Sequence, residues 1–417
     1  MSCGLHIRSE IGPLKKVMLH RPGDELLNLS PDSLAPLLFD DIPFLQVAQA
    51  EHDAFAQMLR DEGVEVVYLD QLVAEALQAC PDARHELVGR WLMECGVCGR
   101  GVLEALDELL AGITEPVALV DKLIEGVRAD ELDLAPKKGL SLADIMMTRG
   151  NMDDPLVVDP IPNTYFTRDT FSVVGQGVSL NSMWSATRRR EPLFGQIVFK
   201  HHPDYADTPI WHESESPFSV EGGDILVLGP HVVGIGISER TSPAGIDVLG
   251  RRLLWGDPVS GIDSVFAFSI PHKRSFMHLD TVFTQVDVDM FTVHPGILGS
   301  LKVFELKRGA VDGEVVIRCL EDKSLDQVLA GALGLPSVRL IKCGGEDPIA
   351  SAREQWNDGS NTLAVRPGTV FVYQRNAVTN QILYKEGLNL LEIPSAELSR
   401  GRGGPHCMSM AFIREDL

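Results

Sequence analysis

The order of apolar and polar positions repeats one layout along the chain. A polar residue is followed by an apolar run, a tight break and a second apolar run, which is the signature of a β-hairpin. The layout occurs over 169–180, 224–235, 280–293 and 361–372, opened by Asp169, Asp224, Asp280 and Asn361. A fifth unit forms if 14–23 pairs with the terminal run 408–413, which brings the two chain ends into one module and predicts a closed ring. Between hairpins, 44–62 and 324–333 have helical periodicity, and each leads into a β-rich run, 64–69 and 337–341. Strand, hairpin and helix therefore alternate, and the predicted class is α/β.

Residues 71–152 break this rhythm with consecutive amphipathic helices and no strand between them. Pro81 opens one that carries Leu87, Val88, Trp91 and Leu92 on a single face, Val102, Leu106 and Leu109 keep the same spacing, and 116–127 repeats it. The expected organisation is a catalytic α/β domain from 1–70 and 153–417, with an inserted helical bundle over 71–152.

Composition narrows the class without changing the layout. With 44% apolar and 23% charged residues over 417 positions, the chain has globular proportions and enough length for a large core. It lacks an apolar run of membrane-spanning length, and its first residues lack the layout of a signal peptide, so a cytoplasmic protein is expected. The balance of 59 acidic against 37 basic residues repels nucleic acid and anionic membranes, and it is compatible with a cationic small molecule. Seven scattered cysteines (Cys3, Cys80, Cys95, Cys98, Cys319, Cys343 and Cys407) argue for free thiols rather than a disulfide framework. Cys95 and Cys98 form a C-x-x-C pair, but no second pair completes a zinc site, and they read as structural.

Candidate chemistry lies at the polar starts of the hairpins. Equivalent positions of a ring converge on its axis, so Asp169, Asp224 and Asp280 can share one pocket. Around them stand Asn163-Thr-Tyr-Phe-Thr-Arg-Asp169, Val220-Glu221-Gly-Gly-Asp224, Met277-His278-Leu-Asp280 and Gly401-Arg402-Gly-Gly-Pro-His406-Cys407. With Leu37-Leu-Phe-Asp40-Asp41, Arg188-Arg189 and Gly236-Ile-Ser-Glu-Arg240, these patterns in this order resemble the arginine deiminase family, from about residue 10 to the end. Pro405 departs from the pattern, where relatives carry glycine, and is expected to stiffen the loop.

The resemblance implies a five-bladed α/β propeller, a cofactor-free hydrolysis of free L-arginine to L-citrulline and ammonia, and a homo-oligomer. It implies roles that elementary chemistry makes intelligible. A planar guanidinium, protonated below about pH 12, suits the carboxylate forks of Asp169 and Asp280, with Asp224 in the same pocket. Cys407 would attack the guanidinium carbon as a thiolate favoured by the arginines of its own loop. His278, expected to share a strand face with Asp280, would protonate the departing ammonia and then activate water, with Glu221 orienting its ring. His406, pointing elsewhere, would serve the loop. Arg188, Arg240 and Arg402 would fork the α-carboxylate, assisted by Asn163.

Three rivals are open to the same residues. Agmatine deimination would not need the three arginines, because agmatine has no carboxylate, and amidine transfer to an amine acceptor would have to exclude water from the covalent intermediate. A metal hydrolase would use His278, Asp280, Glu221 and Asp224 as ligands, but no close H-E-x-x-H spacing supports it, and the expectation is no metal. A non-catalytic arginine-binding protein is disfavoured by the presence of both Cys407 and His278.

Overall fold

The computed structural model describes residues 4–132, 141–145, 155–256, 258–299 and 301–417. Among these residues the strands form six sheets, and five share one topology. In each of the five, an antiparallel pair is followed by a helix and then by a strand parallel to the second member of the pair. Phe171–Val174 and Gly177–Leu180 pair, and Ile210–His212 joins in parallel after the helix Pro192–His201. Ile225–Gly229, Val232–Ile237 and Ser264–Ser269 repeat this around Pro243–Trp255. Phe283–Asp287, Met290–Val293 and Arg339–Lys342 follow, then Leu363–Arg366, Thr369–Tyr373 and Asn389–Ile393. The helix is required by geometry, since a tight turn can only return the chain antiparallel.

The fifth sheet joins the chain's two ends. Met410–Arg414 lies antiparallel to Leu14–Leu19, which runs parallel to Glu65–Tyr68 across the helix α1 (Leu45–Asp61). The second sheet is extended by a hairpin that the sequence pattern did not predict, Lys302–Arg308 with Val315–Cys319. Its outer strand is half exposed and lacks a clean apolar alternation, which hid it.

The helical run comprises α2 (Leu69–Ala79), α3 (Pro81–Glu94), α4 (Arg100–Gly112) and α5 (Pro116–Glu125). Proline opens α3 and α5 at the position where a missing N–H costs nothing. Trp91 is fully buried and donates its indole N–H to the carbonyl of Leu123 at 3.0 Å. Two details differ from expectation. Helix α5 stops at Glu125, because Gly126 takes φ +83° and its Cα lies so close to 158–160 that a Cβ would meet the Val158 carbonyl at 2.5 Å. A two-residue strand, Val127–Arg128, then pairs with Leu156–Val158, so the region is not purely helical. The apolar core is continuous from these helices into the sheets, through Leu87, Val102, Phe194 and Phe171. Residues 133–140 and 146–154, within and beside the expected bundle, lie outside the described residues.

Among the described residues no helix is long and apolar enough to cross a membrane. Cys95 is buried just after α3, Cys98 is exposed before α4, and both are free; Cys3 lies outside the described residues.

Candidate active site

Each of the five repeated sheets delivers one polar residue just before its first strand. Asp169 precedes Phe171–Val174, Asp224 precedes Ile225–Gly229 and Asp280 precedes Phe283–Asp287. Asn361 precedes Leu363–Arg366, and Cys407 precedes Met410–Arg414. The three aspartates sit in single helical turns, Thr167–Thr170, Gly222–Asp224 and Leu279–Thr281. His278 is therefore the extended residue before a 3-10 turn and does not share a strand face with Asp280, contrary to expectation. The turn sends the two side chains to different partners.

Cys407 is buried, at 4% exposure, with its sulfur between two polar groups. Asn361 Nδ2 donates to Sγ at 3.1 Å, and Asn361 Oδ1 accepts the backbone N–H groups of both His406 and Cys407 at 3.1 Å. On the other side, Sγ lies 3.5 Å from Asp280 Oδ2. Asn361 was not among the residues singled out for chemistry. The available signal was its place at the start of the fourth hairpin, equivalent to the three aspartates.

Asp280 Oδ2 also accepts a hydrogen bond from His406 Nδ1 at 2.8 Å, while Oδ1 has no partner. Burial alone would raise the pKa of Asp280, but the His406 bond and charge hold it below its ordinary value. The histidine next to the nucleophile thus braces the carboxylate rather than only its loop, and its Nε2 lies 3.1 Å from Glu10.

His278 Nε2 donates to Glu221 Oε2 at 2.8 Å, and its Nδ1 lies 3.6 Å from Asp169 Oδ1. Burial would depress the imidazole, yet Asp169 and Glu221 raise it to about 9. Glu221 is held ionised against burial by the His278 bond and the Arg240 charge, and it also accepts the Trp184 backbone N–H at 3.0 Å. At neutral pH the ring is an imidazolium between two carboxylates.

The arginines divide into two groups. Arg188 is buried with its donors committed: Nη1 gives to Asp169 Oδ2 at 2.8 Å, and Nε and Nη2 give to Glu191 at 2.9 and 2.8 Å. It lies beside Asp169 and 3.8 Å from Glu221, paired with carboxylates rather than open toward an anion as expected. Arg240 and Arg402 are also buried, but Arg240 Nε and Nη1 and Arg402 Nε have no partners. Asn163 Nδ2 donates to the Leu37 carbonyl at 2.8 Å. Asp224 is committed inside the protein, accepting Ser238 Oγ at 2.6 Å and the Leu279 N–H at 2.9 Å. Those bonds tie the second hairpin to the turn carrying Asp280 and leave Asp224 a brace rather than a free substrate contact. Burial raises it to about 7.

The thiol differs from expectation. Its loop arginines do not favour the thiolate, because Arg400 pairs with Asp41 and Glu397, and Arg402 faces Asp40. Burial and the charges of Asp280, Asp169 and Asp358 instead push the Cys407 thiol well above its ordinary range. The rival metal set is not assembled either, since Asp280 and Asp224 turn to His406 and Ser238. Ligand atoms of Asp169, Glu221 and His278 do lie within 4.8 Å of one another. Arg188, bonded to Asp169, already supplies positive charge there, so the place is poorly matched to a divalent ion.

The described residues thus bring together a buried cysteine against the Asp280 carboxylate and an imidazolium between Asp169 and Glu221. The fold is similar to that of two solved amidinotransferases. An amidinotransferase of the saxitoxin pathway from Microseira wollei superposes with TM-score 0.55 at 14% identity, over 100% of this chain and 98% of that one. The inosamine-phosphate amidinotransferase of Streptomyces griseus does so with TM-score 0.51 at 14% identity, over 99% and 97%. At such identities the likeness speaks for the fold alone.

The sequence relatives are nearer. The family model for arginine deiminase matches residues 35–414. Arginine deiminases of Treponema denticola and Clostridium perfringens are 50% and 49% identical over 415 residues, covering 99% of this chain and 99% and 98% of theirs. The chain belongs to the arginine deiminase family.

Proposed function

We propose that the protein hydrolyses free L-arginine to L-citrulline and ammonia through an amidino group carried on Cys407, with no cofactor. The observation that carries this is a pair of buried carboxylate oxygens without a hydrogen bond: Asp280 Oδ1, on the carboxylate 3.5 Å from the Cys407 sulfur, and Asp169 Oδ1, whose charge reaches that sulfur. A guanidinium bonded to both would satisfy them and place its carbon next to Sγ. Its positive charge would also offset the carboxylates that hold the thiol protonated, so the thiol gives its proton to water and the thiolate forms where and when the substrate is bound.

The thiolate adds to the guanidinium carbon, and the His278 imidazolium gives its proton to the nitrogen that leaves as ammonia. Neutral His278 then takes a proton from water as the oxygen adds to the same carbon. The adduct's hydroxyl passes its proton to water as the C–S bond breaks, citrulline forms and the thiolate returns; the two protons released over the cycle convert ammonia to ammonium and reprotonate the thiol. Glu221 and Asp169 keep the ring charged and oriented between these steps. The unpartnered nitrogens of Arg240 and Arg402 would take the α-carboxylate, with Asn163 at the same end and Arg188 placing Asp169. Asp224 acts through the turn that carries Asp280.

The five like sheets support five blades of a propeller, and the run α2–α5 supports a helical insert over 71–152 against 1–70 and 153–417. We place the protein in the cytoplasm as a homo-oligomer, following its family, with neither nucleic acid nor membrane as partner, which the net charge of −22 supports. Mass spectrometry of acid-quenched enzyme after mixing with arginine tests the chemistry. An amidino adduct is expected on the peptide bearing Cys407 and absent from Cys407→Ser. Citrulline formation by Cys407→Ser at a rate near wild type would overturn the covalent route.

A further inference from the structure

The two arginines with free donors share a second property that Arg188 lacks. Each lies against the face of an indole. The Arg402 guanidinium carbon is 3.7 Å from the centre of the Trp356 ring, and that of Arg240 is 4.9 Å from the centre of the Trp184 ring. Trp184 and Trp356 are the tryptophans of the described residues that remain well exposed, at 46% and 48%, so neither is retained to fill the core. Both stand beside the reaction site through their backbones. Trp184 N–H holds Glu221, and Trp356 ends the helix Pro348–Trp356, five residues before Asn361.

We propose that Trp356 and Trp184 are positioning residues that fix the α-carboxylate-binding arginines by their faces and leave their edges free for the substrate. A guanidinium donates only in its own plane, so a carboxylate that anchors it consumes the donors that recognition needs. Arg188 is in that state, spent on Glu191 and Asp169. An aromatic face restrains the same plane from above and leaves the N–H edge open. Arg402 needs the restraint most. Its backbone takes φ +65°, uncommon for a residue other than glycine, and its remaining polar contact, Asp40, is at 3.4 Å. Arg240 has a single weak polar contact on its side chain, Nη2 to the Met277 sulfur at 3.8 Å.

The inference rests on the assignment of Arg240 and Arg402 to the α-carboxylate, and the test separates the two. KM and kcat for L-arginine are measured for wild type, Trp356→Ala, Trp356→Phe and Arg402→Ala. Trp356→Ala should raise KM about three- to thirtyfold, the range of a partly desolvated cation–π contact, while kcat changes less than about twofold. Trp356→Phe should recover most of the loss, because it restores a face. An unchanged KM in Trp356→Ala, an equal fall in kcat, or a Phe variant no better than Ala would overturn the inference. If Arg402→Ala itself leaves KM unchanged, the carboxylate assignment fails instead. Should Trp356→Ala lose its cooperative thermal transition, Trp184→Ala and Trp184→Phe carry the same expectation through Arg240, with the same overturning results.

Discussion

Removing Arg402 tests how the site measures the length of its substrate. Its side chain is buried at 3% exposure, its Nε has no partner, and its contact with Asp40 is long at 3.4 Å. Truncation to alanine therefore gives up little within the free protein and much in the complex. A desolvated charge pair couples by about 2 to 4 kcal/mol. The lower half of that range applies here, because Asp40 competes for the guanidinium before substrate arrives and Arg240 remains to share the carboxylate. The expected loss in kcat/KM for L-arginine is then roughly 30- to 150-fold, at about 1.4 kcal/mol per tenfold. Agmatine carries the same guanidinium without a carboxylate, so its weak activity should fall by less than about threefold in a coupling of this kind. The assay is kcat/KM by ammonia release for both substrates, wild type and Arg402→Ala, at one fixed salt concentration, since screening alters charged contacts. Equal proportional losses on the two substrates would show that Arg402 serves the loop or the thiol and not the carboxylate.

Asp280→Ala should lower kcat/KM by several orders of magnitude, since it removes a clamp oxygen and the partner of His406 Nδ1; steady-state kinetics within tenfold of wild type would refute the clamp. His278, raised in the folded state from 6.5 to about 9, contributes stability that is present in full below pH 6.5 and is lost as pH rises through about 9. His278→Gln should accordingly show a smaller fall of Tm across that interval than wild type, and an identical fall would contradict the assigned ion pairs. Cys95→Ser combined with Cys98→Ser should retain near wild-type turnover, since both thiols are free and lie between α3 and α4; a folded but inactive double variant would reinstate a role for the pair.

The sequence by itself determined the repeat and most of the cast. Hairpin patterning and turn residues act over a few positions, so the five modules, the pairing of the chain ends and the helical run were legible without coordinates. The hairpin Lys302–Arg308 with Val315–Cys319 was not, because its outer strand buries no alternating face. Pairing of charges was beyond reach for a different reason. Whether an arginine is spent or free depends on what comes within about 4 Å across modules far apart in the chain, and electrostatic energies change steeply over that distance. Arg188 and Arg402 look alike in sequence, yet one is locked by Glu191 and Asp169 while the other rests on Trp356 with an open edge. The thiol followed the same rule. Glycines and arginines around Cys407 suggested an activated thiolate, but folding sends those arginines to Asp40, Asp41 and Glu397 and surrounds the sulfur with carboxylates. Only the tertiary structure decided which charges the sulfur meets, because only the packed site fixes what lies against it without water between.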